Sequence, residues 1–191
     1  MTRANVVDGW RIDVTIREMI SRTLSRTEIA RVVAGALSAA GAPPGASLSV
    51  ILTDDEELAD LNETHLGHEG PTDVLSFPLL PREAFPSHAG FAPTLANGDG
   101  TFAGSGPAFV LPPGARLHLG DIAVSVERAR AQAAAGQGGQ TGDIAWSTEH
   151  ELRLLLTHGT LHICGWDHAE PVEEAAMRAL ERELLRLVPG R

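Results

Sequence analysis

Lysine is missing altogether from this 191-residue chain. All fifteen basic side chains are arginines, set against twenty-five Asp and Glu for a formal charge of −10. Alongside abundant Ala, Gly and Arg, the lack of lysine reads as genomic compositional bias rather than mechanism. An acidic chain has no overall attraction to nucleic acid, so any such binding must come from a local basic patch. Arg3, Arg11, Arg17, Arg22, Arg26 and Arg31 all fall in the first 31 residues. They are either a solvated helix face or a phosphate-contacting one. A single cysteine, Cys164, excludes a disulfide within the chain. No apolar run approaches the ~18 residues of a membrane span, and the opening Met-Thr-Arg-Ala-Asn carries no apolar signal core. The expectation is a soluble, cytoplasmic, single-domain protein with a core of real size.

What the chain does have is histidine, crowded into one place. Three of its eight histidines lie within eleven residues, in His158-Gly159-Thr-Leu161-His162-Ile-Cys164-Gly165-Trp-Asp167-His168. On a helix, His158 and His162 are four apart and project from one face. Gly165 suits a left-handed helix end, after which the chain returns His168 to the same point. Three imidazoles with a fourth position open are the ligand set of a catalytic zinc; Ni, Co, Cu or Fe also suit such nitrogens. The expectation is one Zn(II) held by His158, His162 and His168. The spacing is that of the metzincin proteases, except that Gly159 stands where they carry the Glu general base. That departure argues against a peptidase. Asp167 is the nearest candidate acid or base, either as the hydrogen-bond acceptor that fixes an imidazole tautomer or as a turn cap. No other general base is identified. His65, His68, His88, His118 and His150 are left outside the site, and Cys164 is read as helix-end packing.

The surrounding chain reads as alternating strands and helices. Residues 1–9 form a loose lead-in, and Trp10 to Ile16 alternates as a half-buried strand. Ser25 or Thr27 caps a helix to Ala40, which Gly41-Ala-Pro-Pro-Gly45 stops. A strand follows at Leu48–Leu52, then an acidic helix from Thr53 or Asp54 to Asn62, then a short strand at Val74–Phe77 preceded by a turn-forming Asp73. Half of the twelve prolines lie in 81–116. That stretch reads as an insertion, with a small hairpin at Asn97-Gly-Asp-Gly100. Leu119–Val126 is strand and Glu127–Ala135 helix. A helix capped at Ser147 or Thr148, with Thr148 and Glu151 as capping box, carries the histidines. A last helix, Glu170–Leu187, turns Val172, Ala176, Leu180, Leu184 and Leu187 inward. The fold class expected is α/β (α+β): a small mixed sheet of roughly four strands with about five helices.

The histidine run resembles the signature of the YbeY family of bacterial rRNA maturation factors. Collinear matches are Thr53-Asp54-Asp55-Glu56, Leu61-Asn62, Pro71-Thr72-Asp73-Val74-Leu75-Ser76-Phe77-Pro78, Leu119-Gly120-Asp121-Ile122, and Met177 with Glu181. The resemblance covers most of residues 48–187 outside the insertion. It implies a metal-dependent, single-strand-specific endoribonuclease of the cytoplasm. It also implies action on rRNA precursors and the small ribosomal subunit in 3′-end maturation; no DNA or membrane partner is expected. Its zinc ligands correspond to His158, His162 and His168, and its metal cleft lies between sheet and helices. Where the family usually has an arginine implicated in RNA cleavage, this chain has Leu66; Arg82 or an N-terminal arginine is the candidate replacement. Beside the nuclease stand two other readings, a non-catalytic ribosome-assembly factor stabilised by its metal and, less favoured, a metallopeptidase.

Overall fold

Burial alternates along Trp10–Ile16 as the side-chain pattern requires: Trp10, Ile12, Val14 and Ile16 face the core, and Arg11, Asp13 and Thr15 face away. This strand, β2, is one of five. In the computed structural model, which describes residues 2–89, 91, 115–136 and 146–187, the elements run β1 (Arg3–Val7), β2 (Trp10–Ile16), α1 (Arg26–Ala39), β3 (Ser47–Thr53), α2 (Asp55–Leu66), β4 (Val74–Pro78), a 3₁₀ turn (Arg82–Ala84), β5 (His118–Ser125), α3 (Val126–Ala134), α4 (Thr148–Ile163) and α5 (Pro171–Leu187). The sheet order is β1-β2-β3-β5-β4. β2, β3 and β5 are parallel, and β1 and β4 flank them as antiparallel edges. The fold is therefore α/β with a mixed sheet, with one strand more than the roughly four expected.

The additional strand is Arg3–Val7, where a loose lead-in was expected. It lacks a clean apolar alternation because it sits at the sheet edge and is largely exposed. Asp8 and Gly9 both have positive φ, 49° and 92°, and close a two-residue hairpin onto β2. An Asp-Gly pair is a strong hairpin signal, because both central residues of such a turn need positive φ.

The helix starts follow side-chain chemistry. Ser25 caps α1 in a reciprocal box with Glu28, and Asp54 caps α2 by accepting from the Glu57 N–H. At α4 the box is Ser147 with His150, not Thr148 with Glu151. Glu151 instead lies buried at 3% exposure and accepts a hydrogen bond from the Trp146 indole.

Helix α4 is central, with Leu152, Leu155, Leu156, Leu161 and Ile163 in the core alongside β2, β3, β5 and α1. The opposite face of β4 and β5 is covered by α2, through Leu58 against Leu75 and Ala123. Two glycines set how closely α4 meets the sheet. A Cβ on Gly159 would fall about 3.0 Å from both the Ile122 methyl and the Ser76 hydroxyl, and the Ser76 Oγ–H donates to the Gly159 carbonyl at 3.1 Å. Gly120, at φ +151°, sits at the β3–β5 register shift, where a Cβ would run into the Phe77 carbonyl and the Ile163 side chain. α4 thus lies tight against β4, and its histidine face emerges beside that edge strand.

On α5 the inward face differs from the expected apolar stripe. Val172 is 65% exposed, whereas Glu173, Met177 and Glu181 are buried. Leu180 and Leu184 are partly buried. The hairpin expected at residues 97–100, and the greater part of the 81–116 stretch, lie outside the described residues.

Candidate metal centre

The last turn of α4 builds the site. Its backbone closes in a Schellman arrangement: the Gly165 N–H bonds the His162 carbonyl at 3.0 Å, and the Trp166 N–H reaches back to the Leu161 carbonyl at 3.0 Å. Gly165 adopts φ +82°, and a Cβ there would lie 2.6 Å from the Cβ of Arg82, so only glycine fits. The chain reverses at this point and brings His168 over the end of the helix. The three imidazoles come together: ring centroids are 4.5 Å apart for His158–His162, 5.1 Å for His162–His168 and 5.6 Å for His158–His168. One nitrogen from each lies within 4.8 Å of the others.

Two rings are oriented from behind. His158 Nδ1 is 2.7 Å from Glu181 Oε1, a carboxylate at 3% exposure, and His162 Nδ1–H donates to the Trp166 carbonyl at 2.9 Å. Both Nε2 atoms are thereby turned inward, 3.0 Å apart. Such outer hydrogen bonds fix the tautomer that exposes the ligating lone pair. Burial, and then the neighbouring His158 and His168, push the His162 pKa down to about 4, so at neutral pH its ring is uncharged and able to bind a cation. The donor set fits a divalent ion of the zinc class: three imidazole nitrogens on one side of a point and open space on the other.

That open space is a cleft of about 670 Å³, bounded by β4, the 165–168 turn and the triad. Thr72, Asp73, Ser76, Leu66, Arg82 and Asp167 line it with the three histidines. Leu66 is 53% exposed at its rim. Arg82 lines the same cleft from the 3₁₀ turn and pairs with Glu173.

Of the sequence-derived candidates, the three histidines converge. The Asp167 carboxylate accepts from the His168 N–H at 2.7 Å, which is the turn-cap alternative, and tautomer control falls to Glu181 and the Trp166 carbonyl. Asp73 accepts from the next N–H, that of Val74, at 2.8 Å and from Gln132 on α3 at 2.9 Å, so its carboxylate ties the entry of β4 to α3. Cys164 caps the helix, buried, its thiol pushed up to about 12 by burial. None of the five histidines set aside joins the triad. His118 bridges Ser47 and Asp121 at 3.1 Å each, His150 sits in the α4 cap, and His65 lies edge-on to Phe77. His88, however, stacks on Trp166 with centroids 3.9 Å apart. Glu173 and His88 were not singled out from sequence. The buried Glu173/Glu181 pair has a readable sign in its i, i+8 spacing around Met177, but carboxylates are normally assigned to solvent.

A family model described as Endoribonuclease YbeY matches residues 12–188, nearly the whole described fold. The chain belongs to the YbeY family. An Endoribonuclease YbeY of Symbiobacterium thermophilum is 40% identical over 88% of this chain and 90% of the relative. One from Roseiflexus castenholzii is 35% identical over 91% and 90%. A solution structure of a Thermotoga maritima protein overlays with TM-score 0.51 at 18% identity, covering 91% of this chain and 87% of that one, and speaks to the fold alone. Within YbeY-family chemistry, Gly159 has a plain meaning: the place of a protease glutamate is taken up by helix–sheet contact. No helix of the described residues is long and apolar enough to cross a membrane.

Proposed function

We propose that this YbeY-family chain is a zinc-dependent, single-strand-specific endoribonuclease that matures the 3′ end of small-subunit rRNA in the cytoplasm, with the small ribosomal subunit as its partner. The whole of 1–191 acts as one domain, and 81–116 is an insertion in it. The observation that carries the reading is the set of three imidazoles at one wall of an open cleft, two of them held with Nε2 inward by groups behind them. His158, His162 and His168 would hold the ion. When bound, zinc supplies Lewis acidity toward a phosphodiester oxygen.

The chain's own groups do the rest. Glu181 keeps the His158 Nδ1 proton on the side away from the cleft, and the Trp166 carbonyl does the same for His162. β4 and the 165–168 turn form the walls of the cleft. Arg82 lines the cleft with its guanidinium paired to Glu173, and Leu66 brings no charge to the rim.

Leu66 also favours a second reading, a ribosome-assembly factor that keeps the metal for stability and cuts nothing. The test is metal content together with cleavage of rRNA precursor fragments, for the wild type and for His162→Ala. The nuclease reading expects zinc near one equivalent and cutting in the wild type, with both lost in the variant. Metal-loaded wild type that leaves RNA intact would support the assembly factor. A variant that keeps both metal and cutting would remove the site assignment.

A further inference from the structure

The three histidines are not held alike. His158 and His162 each have a ring hydrogen bond behind them, but among the described residues the His168 ring has none. His168 is also the exposed member of the triad. Its position is therefore set by the backbone of the 165–168 turn, and the question is what fixes that turn.

The answer lies in a buried group on the first turn of α5. Glu173 is 3% exposed, and its Oε1 accepts from the Asp167 N–H at 3.0 Å, one residue before His168. The same oxygen takes a charge-assisted bond from Arg82 Nη2. Arg82 in turn packs its guanidinium 3.8 Å above the Phe91 ring, and its Cβ lies against Gly165. His88 adds a second clamp, stacked on Trp166 at 8° between ring planes with its Nε2 3.7 Å from Glu173 Oε1. Arg82 and His88 thus strap the turn from one side, while α5 grips it from the other through a single carboxylate. A carboxylate at this depth needs its countercharge, so removing Arg82 leaves Glu173 buried and unpaired.

We propose that Glu173, neutralised by Arg82, is a positioning residue for the metal site: it fastens the 165–168 turn so that His168 completes the triad. Arg82 then acts in this chain chiefly through Glu173. The proposal rests on the reading of the triad as a metal site.

The experiment is a competition titration of the full-length protein with zinc against a chromophoric chelator, and with cobalt(II) followed by visible absorption. It compares wild type, Glu173→Gln, Arg82→Ala, Arg82→Lys and His168→Ala. Groups that orient metal ligands are worth about 10–100-fold in affinity. Glu173→Gln and Arg82→Ala are therefore expected to weaken zinc binding at least tenfold, and to shift the cobalt spectrum toward that of His168→Ala. Arg82→Lys, which keeps the charge, is expected to recover much of the loss. Thermal melting of the metal-free proteins separates positioning from folding: the affinity loss must appear in variants that still melt cooperatively. Affinity and spectra within twofold of wild type for both Glu173→Gln and Arg82→Ala, with His168→Ala impaired, would overturn the positioning role alone. If His168→Ala itself binds metal like wild type, the triad reading fails and the proposal with it.

Discussion

Glu181 shows how much of the geometry of a histidine cluster is carried by one side chain behind it. It is buried, 2.7 Å from His158 Nδ1, and held on the face of α5 that looks toward α4. Glu181→Gln keeps the shape but offers a neutral amide, either end of which can meet Nδ1, in place of an anion, so the tautomer of the His158 ring is held less firmly. Zinc affinity is expected to fall about tenfold or more by chelator competition, with little change in the metal-free melting curve. An unchanged affinity would mean that His158 is oriented by packing alone. At this scale the sequence was informative about which histidines converge and poor about the groups behind them. The i, i+4 histidines, the glycine and the third histidine follow one local geometry, so they can be read from spacing. Glu173 and Glu181 act from a helix that follows the signature and packs back across it. A pattern reading sends carboxylates outward because an unpaired buried charge is costly, and only the fold reveals that these two have partners.

Among the elements, α4 is the one whose position matters most, and Gly159 sets it. Its missing side chain lets the helix lie against Val74, Ser76 and Ile122 on the sheet. Gly159→Glu would restore the residue type that a zinc protease carries in that position, but on a helix face already in contact with β4 and β5. Overpacking of a tight interface costs about 1–3 kcal/mol for modest additions. The glutamate adds a charge to be buried, so a loss of at least ~3 kcal/mol in denaturant unfolding is expected. No peptidase activity should appear. A variant as stable as the wild type would show that α4 can back away from the sheet. The elements themselves were largely legible, because periodicity and caps are local: the Trp10–Ile16 alternation appears as read, and Ser25 and Asp54 are each one of the two caps expected for their helix. What escaped was β1, an edge strand with no buried face to impose a pattern. The register of the α4 cap also escaped, since Ser147 and Thr148 are both good caps and the choice rests on what Glu151 does once buried.

For the molecule as a whole, that same Glu151 shapes how stability depends on pH. Burial raises its pKa above the usual carboxylate value, outweighing the bond from Trp146. A carboxyl whose pKa is higher folded than unfolded binds its proton more tightly in the native state. Its contribution is therefore full below the ordinary value near 4.5 and is lost as pH rises through the raised one. Glu151→Gln keeps an acceptor for the Trp146 indole without the ionisation. The variant is expected to match or exceed the wild type in melting temperature at neutral pH, with the difference closing toward pH 4. A variant less stable at every pH would mean that the anion itself is needed there. The overall sheet order was beyond the sequence reading, because strand neighbours are chosen by long-range packing. Only the class, a mixed sheet under helices, follows from element order.

The pairing of β4 with β5 has one more consequence. The two strands are antiparallel neighbours at the sheet edge, so the chain from 79 to 117 is topologically a hairpin connection, however long. The entropy of closing such a connection grows only with the logarithm of its length, at about 0.6 kcal/mol for each doubling. Both strand ends are anchored independently of what lies between: Leu79 N–H bonds the Leu119 carbonyl, and Arg116 bonds the Gly9 and Gly45 carbonyls. Lengthening or trimming the middle of this connection therefore leaves the sheet register and the histidine helix almost untouched in free energy.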